Sequence, residues 1–523
     1  MKKEIKKQST RRAKDATYDH VIKYIGLLGS VQGLKILVQV VRNKLTTQLL
    51  HSDGMGVSAS FANISELIYN ATNLGLSFGT VRNLSELFEE GTDEERTAFV
   101  RVIRTWAFWT GLLGAFICLA LSYFFCQWYF GGDAFFLPYI CLLSLFVFTM
   151  PLEAIECSII KGMRRLKSLA YIETSVVFGS FFITIPLYYF FGMKGIVFSL
   201  ILSSSFALFV HLLVTTKMFP WRIDFFSRQA FMQGLPLLKI GIPYVVAGVT
   251  GAMSTSFIYG ALESLKEVGL YRQGYLMLTL SSVVVFSAMD SDYFPRLSTA
   301  NHDAARMNKM ANQQIQVNVL LITPILILMC LFMSRLIYLL SSKEFIQIAP
   351  MVICATFYLF FRAITLPIAY FPLAKGNSLI YMLAEVVYDI VVAALIYYGY
   401  QYGEAFMHIF FDGIPCGGLV GTGVALSLSA LIDMVMLSAL YGTCYKLRLQ
   451  RRTLVLLASD FVCLAATVPF CLVANHPFYK YLIGITVFGL SLFLAWRLLS
   501  RESGFLARLR HRRHDSAQCD CCQ

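Results

Sequence analysis

Long apolar stretches follow one another along almost the whole chain, separated by short polar gaps, and this repetition restricts the fold more than any other feature. A helix needs roughly 20 mostly apolar residues to cross a hydrocarbon layer of about 30 Å, and about fourteen stretches meet that length. The first six lie within residues 21–216, six more within 240–441, and two within 455–498. In hydrocarbon a backbone must satisfy its own hydrogen bonds, which stretches of this length do only as helices, so the chain is predicted to be an all-α polytopic membrane protein. Its 523 residues are only 14% charged, against roughly 25% in ordinary globular domains. A soluble fold is excluded, and the gaps leave no room for a soluble domain.

The formal charge of +13 would suit nucleic acid if it were gathered on one surface, but its placement argues otherwise. Most of the 44 Lys and Arg fall in alternate gaps and in the two tails, 1–20 and 499–523, as the positive-inside rule requires of cytoplasmic segments. The charge is therefore a topology signal that puts both termini in the cytoplasm, and nucleic acid is not an expected partner. The basic start MKKEIKKQSTRRAK precedes a full-length span and lacks a small-residue cleavage site, so no removable signal peptide is expected. All but three of the 13 Cys lie in or beside apolar stretches, where a thiol behaves as a small apolar group. Cys519, Cys521 and Cys522 lie in the basic tail without a second spaced Cys or His pair, which argues against a zinc site.

The chain also repeats itself. LLHSDGMGVSASF after the first span corresponds to GALESLKEVGLYRQG after the seventh, Lys161-Gly162 to Lys375-Gly376, and Glu173 to Glu385, all at a shift of about 213 residues. That shift contains six spans, an even number, so the two halves enter the membrane in the same direction. The expected architecture is two six-helix bundles, 21–216 and 240–441, related by a pseudo-two-fold axis along the membrane normal, plus two C-terminal helices within 455–498. Such an arrangement suits a transporter with a cleft between its halves. The segment 217–239 is basic and aromatic and is predicted to be a cytoplasmic linker with an interfacial helix, which Pro236 and Pro243 would break from the seventh span.

Charges within a bilayer cost roughly 2.5–3.5 kcal/mol on insertion scales and should face protein or a wet cavity. In the first span Gln32, Lys35, Gln39 and Arg42 form one narrow stripe at about 100° per residue. Asn63, Glu66, Asn70 and Asn73 repeat the pattern in the second, and Arg272 opens a polar side of the eighth. These nine residues are the candidate binding side chains; polar groups of this kind also serve simply to hold helices together. An anionic cargo would draw on Lys35, Arg42 and Arg272, since Arg grips phosphate through a planar fork. Glu153, Glu156, Asp290, Glu385 and Asp389 are candidates for carrying protons or binding sodium. No cofactor is expected beyond such H+ or Na+ coupling.

Three segments carry a family resemblance: VQVVRNKL, then LLHSDGMGVSASF, then NATNLGLSFGTVRNLSE, with LKIGIPYVVAGVTG, LKEVGLYRQG and YFPRLSTA as counterparts in the second half. The chain resembles the polysaccharide transport branch of the multidrug/oligosaccharidyl-lipid/polysaccharide flippase superfamily, which includes the bacterial O-antigen flippases. The resemblance covers essentially the whole chain. It implies two lobes, alternating access, and movement of an undecaprenyl-diphosphate-linked oligosaccharide across a bacterial inner membrane for polysaccharide, O-antigen or capsule synthesis. The implied partners are that glycolipid, membrane lipids, a polysaccharide polymerase and the chain-length machinery. Arg42 matches the basic residue that ends the first span in this family; Arg42-Asn43 departs from the Arg-Asp common in the related lipid II flippases.

Two other readings compete. A cation-coupled multidrug exporter of the same superfamily would need an acid-lined pocket, which the lone carboxylates allow. A membrane glycosyltransferase or polymerase would use Asp290-Ser291-Asp292 as a metal-binding DxD, yet no nucleotide-binding domain accompanies it. The sequence has no GxxxxGK[ST] segment for P-loop ATP hydrolysis.

Overall fold

A computed structural model describes the backbone of residues 2–225, 228–301, 303–410, 417–473 and 477–502, and most side chains between residues 33 and 497. All regular structure among these residues is helical, and it divides into two compact units, Met1–Val249 and Thr250–Gln523. The Cys-rich tail with Cys519, Cys521 and Cys522 lies outside the described residues.

In the first unit, α1 (Lys2–Thr72) is interrupted at His51, whose φ of 56° breaks the helical run. A turn at Leu74-Gly75, both at positive φ, leads to the short amphipathic α2 (Leu76–Glu90). Next, α3 (Asp93–Ala120) opens with a capping box in which the Thr92 hydroxyl accepts from the Glu95 N–H and the Glu95 carboxylate accepts from the Thr92 N–H; two orphan donors of the first turn are thereby satisfied. The unit continues through α4 (Ser122–Phe130), α5 (Leu137–Gly162), α6 (Leu166–Phe191) and α7 (Gly195–Thr215). Leu76 and Leu84 pack with Ile103, Trp106, Ile155 and Ile159 into a core beneath α2. Outward residues such as Phe116, Phe182 and Phe190 remain exposed, as lipid-facing positions should.

The helix that follows, α8 (Arg228–Ala261), runs unbroken through Pro236 and Pro243, which corrects the expectation that these prolines separate a linker helix from the seventh span. Membrane helices tolerate proline where neighbouring groups re-satisfy the freed carbonyls. Close packing accompanies both prolines: a Cβ on Gly234 would strike the Trp106 indole, and a Cβ on Gly241 would lie 2.5 Å from the Leu74 carbonyl oxygen and 2.7 Å from Gly75 Cα. Pro367 and Pro372 also lie inside a helix, α12 (Thr356–Ala374), which a break at Ala355 separates from α11 (Ala349–Cys354).

The second unit contains α9 (Leu265–Thr299), α10 (Ala304–Leu340), α11, α12, α13 (Ser378–Phe410), α14 (Gly417–Cys444), α15 (Arg451–Val473) and α16 (Pro477–Glu502). Its closest helix contact is α13 on α14, where Gly399, Gly403 and Gly421 bring backbone against backbone; small residues are the usual means of such approach in membranes. Asn308 and Asn312 of α10 hold the turn before α15 through the carbonyls of Lys446 and Arg448, and Thr453 donates to Asn312 Oδ1.

Ten helical stretches among the described residues are long and apolar enough to cross a membrane, one of them the 49-residue run Lys167–Thr215 that contains both α6 and α7. The expected first, second and eighth spans fall on α1 and α9 and are not among the ten. The second is crossed by Glu66 and three Asn, which lowers its hydropathy, whereas the first and the eighth include residues whose side chains lie outside the described ones.

Candidate functional site

Two rungs join α1 to α6. Lys35 Nζ lies 2.5 Å from Glu173 Oε2, and Arg42 Nη1 donates to Ser180 Oγ at 3.2 Å. Lys35 and Arg42 are seven residues apart, as are Glu173 and Ser180, so the helices run parallel with rungs spaced two turns, about 10.5 Å. The Lys35 side chain is 7% exposed and that of Glu173 41%. Lys35 and Arg42 therefore share a face of α1, and Lys35 is already neutralised; Arg42, half-buried, bonds to the Ser180 hydroxyl and acts electrostatically on that of Tyr188, both on α6. Gln39 is exposed, and the Gln32 side chain lies outside the described residues.

The other expected stripe divides. Asn63 is buried and accepts from the Tyr129 hydroxyl of α4 at 2.5 Å, whereas Asn70 Nδ2 donates to the Gly248 carbonyl of α8 at 3.1 Å. Glu66 is exposed, and Asn73 is half-buried where α1 ends, its Oδ1 buried without a hydrogen-bond partner. Asn63 and Asn70 thus share α1 but bond to different helices, α4 and α8. On α9, Arg272 is exposed while the adjacent Gln273 is buried and donates to Ser341 Oγ at 2.6 Å.

Among the acids, Glu156 of α5 forms a bidentate pair with Arg104 of α3 at 2.7 and 3.0 Å, both side chains 1% exposed. Arg104 also donates to the carbonyls of Phe219 and Pro220 and lies 4.8 Å from the Trp221 ring centroid. This pair ties two helices to the segment after α7. Nothing in the spacing of Arg104 signalled that partnership. One turn before Glu156, Glu153 accepts from Ser204 of α7 at 3.3 Å.

In the second unit, Asp389 Oδ2 accepts from Thr250 Oγ1 at 2.8 Å and the Asp389 carbonyl from Ser254 Oγ at 2.9 Å. A cavity of about 500 Å³ beside them is walled by Met253, Phe257 and Tyr397. Arg362 of α12, absent from the nine candidate binding residues, pairs with Asp433 of α14 at 3.4 Å and lies 5.6 Å from the Tyr388 ring centroid. Tyr275 and Tyr358 meet at their hydroxyls, 3.5 Å apart, and Glu385 acts electrostatically on Arg362. The Asp290 side chain lies outside the described residues, as do those of Ser291 and Asp292.

The internal repeat has a structural counterpart here. The α1 rungs reach partners 138 residues downstream on α6, and Thr250 and Ser254 of α8 reach Asp389 of α13 across 139 and 135 residues. Each unit thus ties the helix that opens its bundle to the fifth of its expected spans, with cations in one case and hydroxyls in the other.

Residues 47–350 match the family model described as "Polysaccharide biosynthesis protein". The chain belongs to this polysaccharide biosynthesis family. Its fold is that of the MOP superfamily: the lipid II flippase MurJ in an inward closed conformation superposes with a TM-score of 0.65 at 14% identity, over 90% of this chain and 99% of that one. An inward-facing multidrug resistance MATE family transporter follows at 0.57 and 13%, over 77% and 95%. A MOP superfamily transporter from Pyrococcus furiosus follows at 0.53 and 15%, over 80% and 94%. No curated protein matches the sequence. The solved structures it resembles are those of a flippase and of transporters, and the ten apolar helical stretches together with this fold make the chain a multi-pass membrane protein.

Proposed function

We propose that the chain flips a lipid-linked oligosaccharide, carried on undecaprenyl diphosphate, from the cytoplasmic to the periplasmic leaflet of a bacterial inner membrane by alternating access, in polysaccharide, O-antigen or capsule synthesis. The observation that carries this reading is membership of a polysaccharide biosynthesis family by a chain with a flippase fold. Arg42 supports it: a half-buried guanidinium held by a neutral hydroxyl keeps charge available for a diphosphate. Lys35, locked to Glu173, supplies position rather than net charge. H+ or Na+ coupling through Glu153, Glu385 or Asp389 would supply the direction, and a polymerase with its chain-length partner would receive the product.

A cation-coupled multidrug exporter is the second reading, favoured by the aromatic cavity beside Asp389 and by the MATE-like fold. Leaflet assays separate the two. Purified protein in vesicles should move a fluorescent lipid-linked oligosaccharide; movement of cationic dyes with the glycolipid left in place would overturn the flippase. Arg42→Ala should slow glycolipid movement roughly tenfold or more, the worth of a charge-assisted hydrogen bond of about 1.5–3 kcal/mol. Arg42→Lys should keep part of the rate, because an ammonium retains the charge but not the fork.

A further inference from the structure

Asp460 sits near the middle of α15, nine residues and about 13.5 Å from the helix start. It is 1% exposed, and neither carboxyl oxygen has a hydrogen-bond partner among the described residues. It shares the buried face of α15 with Thr453, Leu456, Leu464 and Thr467. Both hydroxyls on that face are committed, Thr453 to Asn312 and Thr467 to the Cys463 carbonyl. Phe461, beside it, packs against Phe357, Phe360 and Phe361 of α12.

The helices against α15 are α10, α11, α12 and α16. Their described charged groups are Arg306, Lys309 and Arg335 on α10, Arg362 on α12, and Lys480 and Arg497 on α16. None pairs with Asp460: Arg362 takes Asp433, and the Lys480 charge acts on Cys330 and Cys471. Among the described residues only the Cys463 thiol, one turn on, interacts with it electrostatically. On α16 the Ser491 hydroxyl is also buried without a partner.

A carboxylate so enclosed would be an isolated charge at membrane depth, which is among the most costly placements a side chain has. A neutral acid left unsatisfied still costs about 1–3 kcal/mol, so the position favours an apolar residue unless another arrangement of the helices uses the acid. We propose that Asp460 is a proton-binding site. The carboxylate gains one proton to become the neutral acid when α10, α15 and α16 enclose it, and releases that proton to water when they part. A sodium ion would need a shell of oxygen ligands, and the leucines and committed hydroxyls of this face do not offer one. The link to transport rests on the carrier reading above; the protonation itself does not.

Infrared difference spectra of the full-length protein, in vesicles of phosphatidylethanolamine and phosphatidylglycerol, test the site without any cargo. The wild type should show a protonated carboxyl band at neutral pH that shifts in D2O and is lost in Asp460→Asn. Identical spectra for the two proteins at every pH would overturn the proposal. Asp460→Leu should melt no lower than the wild type, since it leaves no polar group unsatisfied; a clear fall would show that the carboxyl makes stabilising contacts and would also overturn it. An imposed pH gradient should speed translocation by the wild type, read separately with lipid-linked oligosaccharide and with a cationic dye, and Asp460→Asn should lose that response. Unchanged acceleration in Asp460→Asn would remove the coupling role. If neither probe moves while the infrared band is present, the carrier reading fails and the proton site stands.

Discussion

At the residue scale, the buried Arg104–Glu156 pair and the half-exposed Lys35–Glu173 pair differ in what removing a partner does. Arg104→Ala would strand a carboxylate at 1% exposure, and breaking a buried pair in this way costs about 3–5 kcal/mol. Replacing both partners, as Arg104→Met with Glu156→Leu, should cost far less, because no charge remains to be desolvated. Thermal unfolding of the purified protein checks this: a large fall for the single variant and a small one for the double are expected, and equal falls would show that the bonds to Phe219 and Pro220, not the charge, dominate. Little of this was legible in the sequence. Period alone put Lys35 and Arg42 on one face of the first span, but no periodicity within a helix identifies a neighbour 138 residues away. Asn63 and Asn70 show the same limit, since both lie on α1 and bond to different helices.

At the scale of elements, hydropathy located the helices well and punctuation located their breaks poorly. The expected spans fall on helical residues, yet α8 passes through the prolines that should have broken it, because the packing that re-satisfies a proline-freed carbonyl is tertiary. The interruption at His51 sits in a backbone conformation that no breaker residue announced, whereas the turn at Leu74 is shared with Gly75. Glycine at the α13–α14 contact was equally silent. A Cβ on Gly421 would lie 1.8 Å from the Gly399 carbonyl oxygen, whereas one on Gly489 of α16 meets nothing within 4 Å. Gly421→Ala should therefore destabilise by about 1–3 kcal/mol through overpacking, while Gly489→Ala should be neutral or stabilise by up to about 1 kcal/mol through helix propensity. Melting midpoints of the two variants, measured side by side, test whether close backbone approach or mere helix content governs this unit.

At the scale of the whole molecule, three helical stretches, the expected first, second and eighth spans, bear the candidate binding side chains, which puts polar groups where hydrocarbon would surround them. A carrier for a charged headgroup requires that conflict, since residues that bind an anion weaken the helix that holds them in hydrocarbon. Partners within the fold then resolve it, as Glu173 and Ser180 do for Lys35 and Arg42. Whether those three stretches cross the membrane decides topology. With all of them crossing, the count is even and both termini share one face, which the distribution of Lys and Arg predicts to be the cytoplasmic one. A fluorescent protein that matures only in the cytoplasm, fused after Gln523, should therefore fluoresce, and a phosphatase active only in the periplasm should be silent there. The same phosphatase fused after Asp53, between the first two expected spans, should be active. A silent fusion at Asp53 would mean that the first stretch does not cross, and with it the Lys35–Arg42 stripe would leave the transport path.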